Sequence, residues 1–365
     1  RQMCIRDSFT ARLVRLDGVR IAGGRDFTSH GELAATDLRH LDESSARTIA
    51  AGLEKAGYAV TDVEAKPYTR RPYAPFRTTT MQQEAGRKLG FTADRTMRVA
   101  QQLYEGGFIT YMRTDSVALS NEAISAARSQ AIELYGKQNV PDKPRVYTSK
   151  MKNAQEAHEA IRPAGEHFRT PAQTGLSGDQ FRLYELIWMR TLASQMADAK
   201  GETLSVTIDA TPSSPISVPG AEDVSQATFT ASGRTITFRG FLRAYVESVD
   251  EGASDDAQKR LPQLTEGQNL TCRAVEPAGH DTRPPARYTE PSLVAKLEEL
   301  EIGRPSTYAS IIRTITSRDY VFKKGQALVP TWLAFAVTRL LEDHFGNLVD
   351  YEFTAEREGT LDEIA

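Results

Sequence analysis

The chain has 365 residues, of which 40% are hydrophobic and 25% charged, and its formal net charge is −3. At roughly 100–200 residues per domain this length predicts two or three domains, and no run reaches the ~20 apolar residues of a membrane span. Two cysteines, Cys4 and Cys272, are too few for a disulfide framework or a four-thiolate zinc site.

Both ends of the sequence are unusual. The opening residues 1–8, RQMCIRDS, lack the apolar stretch of a signal peptide. They resemble translated sequencing-adapter read-through, and we interpret them as a non-native leader. The last residues, Ile364 and Ala365, carry no closing turn signal. We therefore expect a piece of a longer protein.

The first 65 residues predict β structure with one helix. The alternating run Phe9–Leu16 precedes Asp17-Gly18, a pair that favours a two-residue hairpin turn. The elements expected next are a helix capped by Ser44 or Ser45 and running to Lys55, and a strand at Tyr58–Ala65.

Residues 66–196 change to a helical pattern. Three amphipathic helices are predicted to begin at Thr92, Ser120 and Ser177. A short β-prone stretch, Phe108–Tyr111, lies between the first two. Residues 200–275 alternate as strands again, and the acidic stretch Asp250–Asp256 is typical of a solvated loop.

From Pro284 onward the pattern is helical. The expected elements are a helix with Leu293, Leu297 and Leu300 on one face, a helix capped by Ser306, and a third helix at Trp332–Leu341. The overall order is therefore β, α, β, α. This order favours a helical module inserted into a β domain at neighbouring points of entry and exit.

Charge is distributed unevenly along the chain. Residues 66–113 contain nine basic and three acidic residues, whereas residues 341–365 contain eight acidic residues and one basic residue. The basic stretch is interleaved with Tyr68, Tyr73, Phe76 and Tyr104, which suits a nucleic acid backbone with unstacked bases. A solvated helix surface remains the alternative.

The stretch Tyr111–Ser116, YMRTDS, contains a candidate nucleophile. A tyrosine hydroxyl, with a free pKa of about 10, needs a nearby cation and a neutralised phosphorus electrophile to react. In an extended segment Arg113 leaves the same face as Tyr111, and its guanidinium matches phosphate oxygens. Asp115 would orient Arg113. The alternative is a core or rim tyrosine, since the chain has 13.

Two further stretches suit anion binding. In a helical Glu156–Pro163, His158 and Arg162 share a face and both can donate to a phosphate. A zinc motif is excluded there, because HExxH requires histidine at position 162. The alternative is a surface histidine among carboxylates.

The stretch Gly303–Tyr320 places Ser306 at a predicted helix N-terminus, where free N–H groups bind anions. A capping motif with amphipathic packing is the alternative. The side chains expected around that end and along that helix are Arg304, Thr307, Tyr308, Arg313 and Arg318.

Together these stretches resemble the type IA DNA topoisomerases, and among them bacterial DNA topoisomerase I. The similarity is carried by EGGFITYMRTDS, SKMKNAQEAHEAIRP and PPARYTEPSLVAKLEELEIGRPSTYASIIRTITSRDYV, in that order. It extends over nearly all of the chain after residue 9. Met112, after the tyrosine, is more typical of topoisomerase I than of topoisomerase III, while reverse gyrase shares the core.

The resemblance implies a mechanism and a set of site residues. Tyr111 is expected to attack a single-strand DNA phosphate and remain joined to the 5′ end, while a second strand passes and the 3′ hydroxyl reverses the reaction. Arg113 and His158 would assist at the same phosphate. The residues expected to bind DNA are Tyr104, Arg162, Arg304, Ser306, Thr307, Tyr308 and Arg318.

The resemblance also implies a multidomain α+β fold. Residues 9–69 and 198–276 are expected to form a β arch domain. A helical, winged-helix-like catalytic domain, residues 70–197, would be inserted in it. Residues 277–365 would be part of a helical domain that grips single-stranded DNA.

Other family features would lie outside this chain. The Toprim domain, which binds Mg²⁺ in the family, is expected to be missing, together with the C-terminal zinc ribbons or basic repeats. No metal site is expected in these residues, no ATP is needed, and the isolated chain is expected to be impaired or inactive.

We expect the whole protein to be a bacterial monomer that is cytoplasmic, nucleoid-associated and without membrane contact. Its partner would be single-stranded and negatively supercoiled DNA. The alternative functions are a non-catalytic single-stranded DNA-binding fragment and the core of topoisomerase III or reverse gyrase.

Overall fold

The computed structural model describes residues 8–28, 30–148, 159–219, 222–246, 261–281 and 284–364. The chain divides into two compact units. The β unit consists of Arg1–Thr69, Lys200–Phe238 and Ala257–Pro285, and the helical unit of Arg70–Ala199, Arg239–Asp256 and Ala286–Ala365.

The β unit contains a seven-stranded sheet in the order β3-β2-β1-β6-β5-β4-β7. β1 pairs antiparallel with β2 and β6, β6 with β5, and β4 with β7, whereas β2 and β3 are parallel. The strands are β1 (Arg12–Leu16), β2 (Val19–Ile21), β3 (Leu38–Arg39), β4 (Gly57–Arg70), β5 (Ala199–Thr211), β6 (Ala227–Phe238) and β7 (Asn269–Leu270).

The predicted hairpin at the start of the chain is confirmed. Asp17 and Gly18 join β1 to β2 with φ values of 46° and 83°, the left-handed conformation that such a turn requires. The Asp17 carboxylate also accepts hydrogen bonds from the amides of Ser225 (3.0 Å) and Gln226 (2.8 Å). The turn is thereby tied to the chain that enters β6.

The helix of the β unit, α1 (Glu43–Leu53), is capped by Asp42, whose carboxylate accepts from the Ser45 amide at 2.7 Å. The expected cap at Ser44 or Ser45 is wrong, because the earlier aspartate satisfies the free N–H group. The helix packs on the sheet through a cluster of buried residues, namely Leu16, Ile49, Leu53, Ala210, Ile216, Val218, Val224 and Ala227.

The helical unit contains nine described helices and one hairpin. Its first group comprises α2 (Thr78–Glu84), which continues as a π-helical turn over Ala85–Leu89, α3 (Ala93–Glu105), α4 (Asn121–Tyr135) and α5 (Gly178–Ser194). Its second group comprises α6 (Glu290–Glu299), α7 (Tyr308–Ser317), β8 (Val321–Lys324), β9 (Ala327–Pro330), α8 (Trp332–His344), α9 (Gly346–Val349) and α10 (Tyr351–Ile364).

The three helix starts predicted in the first group are confirmed. The hydroxyls of Thr92 and Ser120 accept from amides three residues later, at 3.1 Å and 3.3 Å. Ser177 precedes α5 without a side-chain capping bond. These helices enclose one core, whose largest fully buried members are Tyr184, Phe76, Phe241, Met81, Leu103, Met112, Ile161, Leu183 and Ile187.

Two local predictions around this core are wrong. Phe108–Tyr111 forms no strand among the described residues, and only an isolated bridge joins Ile109 to Pro163. The described part of the predicted helix Glu156–Pro163 is extended, because Ile161 bridges to Phe76 instead. Backbone pairing across the core therefore replaces the local helical pattern.

The second group differs from prediction at its first turn. Thr307, not Ser306, is the residue before α7, and no side-chain capping bond is made there. The hairpin of β8 and β9 was not predicted, whereas the helix expected at Trp332–Leu341 is confirmed as α8.

Three expectations lie wholly or almost wholly outside the described residues: the leader at residues 1–8, the position of His158 and the loop Asp250–Asp256. In the part of the chain that is described, no helix is both long and apolar enough to cross a membrane.

Candidate active site

The segment Thr110–Thr114 alternates between exposed and buried side chains. Tyr111 is 37% exposed and Arg113 is exposed, whereas Met112 and Thr114 are buried at 1% and 4%. The backbone bends at Met112 and Arg113. Tyr111 and Arg113 are both exposed, while Met112 anchors the segment in the core.

On one side, this segment is bound to the chain around residue 161. The Thr110 amide donates to the Arg162 carbonyl at 2.9 Å, and its hydroxyl donates to the Ala160 carbonyl at 2.7 Å. The Arg162 amide returns a hydrogen bond to the Thr110 hydroxyl at 3.0 Å. The residue before the candidate nucleophile is thus held by three backbone-directed bonds.

On the other side, the segment is bound to the start of α2. The Thr78 hydroxyl lies 2.8 Å from the Met112 carbonyl and 3.0 Å from the Thr114 carbonyl, and it accepts from the Thr114 amide at 2.9 Å. The Thr78 amide donates to the Thr114 carbonyl at 2.9 Å. Sequence reasoning missed both α2 and this threonine, since no local pattern marks either.

Tyr111 has an aromatic neighbour. The ring of Tyr104, from the last turn of α3, lies edge-on to the Tyr111 ring with centroids 5.3 Å apart. Such pairs contribute about 0.5–1.5 kcal/mol. Tyr104 is itself 41% exposed, so both rings present an open edge.

Arg113 makes no ion pair with Asp115 in the described part of the chain. The orienting role of Asp115 stays a prediction. Tyr111 and Arg113 are both exposed, so a phosphate group can approach either side chain.

Arg162, expected to bind DNA, is committed to an internal network. Its guanidinium pairs with the Glu159 carboxylate at 2.6 Å and donates to the Pro163 carbonyl at 2.9 Å, and the residue is 9% exposed. Burial by itself raises the pKa of Glu159, but hydrogen bonds from Ser120 and the charge of Arg162 lower it below its ordinary value. This network stabilises the loop on which Thr110 rests.

Most of the basic stretch 66–113 is neutralised within the chain. Arg95 pairs with Asp179 at 2.7 Å and Arg98 with Asp94 at 2.9 Å, while Glu84 accepts from Lys88 at 3.1 Å. The positive balance of the sequence therefore overstates the positive charge of the surface.

The residues that flank and begin α7 are divided between surface and core. Ser306, Thr307 and Arg318 are exposed, whereas Tyr308 is 5% exposed and packs beside Val294 and Ile312.

Burial, together with the nearby Glu298 carboxylate, raises the pKa of Tyr308 to about 12. Arg304 is half-buried and pairs with Glu358 of α10 at 2.9 Å. The proposed DNA contacts of Tyr308 and Arg304 stay predictions, and in this conformation both side chains serve internal packing.

α6 docks on the first helical group through its carboxylates. Glu298 accepts from the Thr79 hydroxyl at 2.9 Å and pairs with Arg77 at 3.1 Å, at the N-terminus of α2. Glu290 accepts from the Ala93 amide at 2.7 Å, at the N-terminus of α3. One helix thus places negative charge at the positive ends of two others.

Among the described residues, no group of three or more His, Cys, Asp and Glu side chains is arranged to hold a metal ion. The site as described is formed by aromatic, guanidinium and hydroxyl groups.

Comparison with known proteins gives the family. A family model for DNA topoisomerase matches residues 19–365. The DNA topoisomerase 1 proteins of Streptomyces coelicolor and Mycolicibacterium smegmatis are 61% and 62% identical, over 98% of this chain. A full-length topoisomerase I structure from Thermotoga maritima is 33% identical with a TM-score of 0.69, covering 90% of this chain and 52% of that one.

The chain therefore belongs to the bacterial DNA topoisomerase family, and the resemblance to type IA topoisomerase I is confirmed. It spans 37% and 38% of the length of the two sequence relatives named above. The mixed α and β content of the fold agrees with the solved relative.

Proposed function

We propose that this chain carries the nucleophile-bearing part of a type IA DNA topoisomerase I that relaxes negatively supercoiled DNA. The observation that carries the proposal is the alternation at residues 110–114. Tyr111 and Arg113 are exposed on a segment in which Met112 and Thr114 are buried and their backbone is hydrogen-bonded to Thr78. The names of the relatives support the same activity.

In the proposed reaction, the Tyr111 oxygen attacks a phosphodiester phosphorus of single-stranded DNA. A bond forms between the tyrosine oxygen and phosphorus, the bond from phosphorus to the 3′ oxygen breaks, and the tyrosine proton is lost while the 3′ oxygen gains one. The 5′-phosphotyrosyl bond keeps the phosphodiester energy, so religation by the 3′ hydroxyl needs no ATP. Arg113 would stabilise the charge that develops on the phosphate oxygens.

The finer assignments belong to this proposal. The β unit would be the arch, residues 70–197 the catalytic domain and residues 277–365 part of the DNA-gripping domain. Tyr104, Ser306, Thr307 and Arg318 are exposed and suit contact with single-stranded DNA. His158 would assist at the phosphate. Mg²⁺ held by a Toprim domain, a cytoplasmic location and a monomeric state would follow from the family, and no step above depends on them.

Covalent capture tests the proposal. The full-length product of the gene that encodes this chain is incubated with labelled single-stranded DNA and denatured, and the label joined to protein is measured. Tyr111→Phe should abolish the adduct. Tyr288→Phe, which alters another exposed tyrosine, should leave it intact. Adduct formation by Tyr111→Phe would refute the assignment.

The binding-only alternative predicts a different result in the same assay. It expects no adduct in the unchanged protein, together with single-stranded DNA affinity that falls by roughly 0.7 log units per log unit of salt for each phosphate contacted. Binding measured at two salt concentrations separates the two functions.

A further inference from the structure

The hydroxyl of Thr78 is placed where it can set the geometry of the Tyr111 segment. It contacts the backbone on both sides of Arg113, at the Met112 carbonyl and at the carbonyl and amide of Thr114. The Thr78 side chain is fully buried, at 0% exposure. A single side chain therefore satisfies backbone groups that have no access to water.

Thr78 is itself held from two directions. Phe76 pairs with Ile161 in the core, so the chain leading into α2 is fixed by the segment that also binds Thr110. The next residue, Thr79, donates to Glu298 of α6, 219 positions later in the sequence. Thr78 thus lies between two anchored neighbours and has little freedom to follow a displaced segment.

We propose that Thr78 is a positioning residue for the cleavage reaction, and that its hydroxyl fixes the backbone that carries Tyr111 and Arg113. This inference rests on the proposed function. The physical reason is that in-line attack needs the tyrosine oxygen and the guanidinium at fixed distances from one phosphorus. A displacement of about 1 Å can lower the rate on the order of a hundredfold.

Thr78 does not touch the exposed face, since it binds the segment from the buried side. Its loss should therefore change the chemical step more than DNA binding. A purely structural role would instead lower folding stability and leave the cleavage rate of the folded protein unchanged.

Three substitutions test the inference. Thr78→Val keeps the branched shape but replaces the hydroxyl with a methyl group, Thr78→Ala removes both the hydroxyl and the methyl group, and Thr78→Ser keeps the hydroxyl and removes the methyl group. The matched control is Thr191→Val, because Thr191 is an equally buried helical threonine whose hydroxyl bonds to the Ile187 carbonyl of its own helix, at 2.8 Å.

The primary measurement is the single-turnover rate of covalent adduct formation in the full-length protein, with single-stranded DNA affinity measured beside it. We expect Thr78→Val and Thr78→Ala to lower the rate by about tenfold to a hundredfold. The affinity for single-stranded DNA should stay within about threefold of wild type in all three variants. Thr78→Ser should retain most of the cleavage rate.

An activity-independent measurement is hydrogen exchange of the Thr114 amide. It should accelerate in Thr78→Val and be unchanged in Thr191→Val. Equal cleavage rates for Thr78→Val and Thr191→Val, or an unchanged Thr114 amide, would overturn the inference. If the unchanged protein forms no adduct, the proposed function itself fails and the inference fails with it.

Discussion

The contacts of Glu290 give the sharpest test of how α6 stabilises the helical unit. Its carboxylate accepts from the Ala93 amide at 2.7 Å and also pairs with Lys323, and the side chain is only 10% exposed. Glu290→Ala removes both contacts. It leaves the first N–H group of α3 buried without the acceptor that the described structure gives it.

The magnitude follows from these contacts. A buried amide left without an acceptor costs about 1–3 kcal/mol, and loss of negative charge at a helix N-terminus adds about 0.3–1 kcal/mol. Lys323 is 37% exposed, so its pair adds less than about 1 kcal/mol. We expect a total of about 2–4 kcal/mol for Glu290→Ala. Glu290→Gln retains an acceptor and should lose roughly half as much.

The assay is native-state hydrogen exchange of the first turn of α3. It reports the local opening free energy, which a global melt of two units would obscure. The matched control is Glu299→Ala, because Glu299 lies on the same helix, is 67% exposed and pairs with Lys296 of that helix. The reasoning is refuted if Glu290→Ala opens the turn no more easily than Glu299→Ala.

Three further outcomes are expected. The lowered pKa of Glu159 means that its stabilisation is present above its ordinary value of 4.5 and is lost as pH falls below it. The protection of the Arg162 side-chain N–H groups, relative to their intrinsic exchange rate at the same pH, should therefore fall in acid, and it should be low in Glu159→Gln at every pH. Ultraviolet difference titration should place ionisation of Tyr308 near 12, with stability lost between pH 10 and 12 because unfolded tyrosine ionises first. Gly240→Ala should lower the melting temperature, unlike Gly279→Ala, because φ at Gly240 is +50° and a Cβ there would lie 2.3 Å from a backbone oxygen.

The elements predicted correctly are those whose geometry depends on residues close together in the sequence. Asp17 and Gly18 need only their own backbone preferences to form a hairpin. Thr92 and Ser120 need only the free amides of the helices they begin. These elements are confirmed at the predicted positions, and the distant contacts of Ser120 and Asp17 add to the local preference instead of opposing it.

Distant pairing explains the failures. Arg162 and His158 have helical spacing, yet the described residues from Glu159 are extended, because Ile161 pairs with Phe76 across the core. The helix that begins at Thr78 has three consecutive threonines and no apolar period, so its stability comes from packing on α6. Neither the pairing of Ile161 with Phe76 nor the packing of α2 on α6 produces a pattern in a short stretch of sequence.

The residues of the candidate site also fall into two groups, those predicted from a local pattern and those that act through distant contacts. The joint exposure of Tyr111 and Arg113 agrees with the two-residue period that the sequence predicted for this stretch. The groups that hold this segment, Thr78 and Thr110, bond to residues 36 and 50 positions away. The role of Thr78 and Thr110 in holding the segment could be identified only from the structure.

The double attachment of the Tyr111 segment has a mechanical consequence. In the proposed covalent intermediate, tension along the DNA would pass into the protein through one tyrosine side chain. Hydrogen bonds at Thr110 lie on one side of it and those at Met112 and Thr114 on the other, so the load divides between two anchors. If the segment were attached on one side of Tyr111, tension would break its hydrogen bonds one at a time. Because it is attached on both sides, both sets of hydrogen bonds must break together.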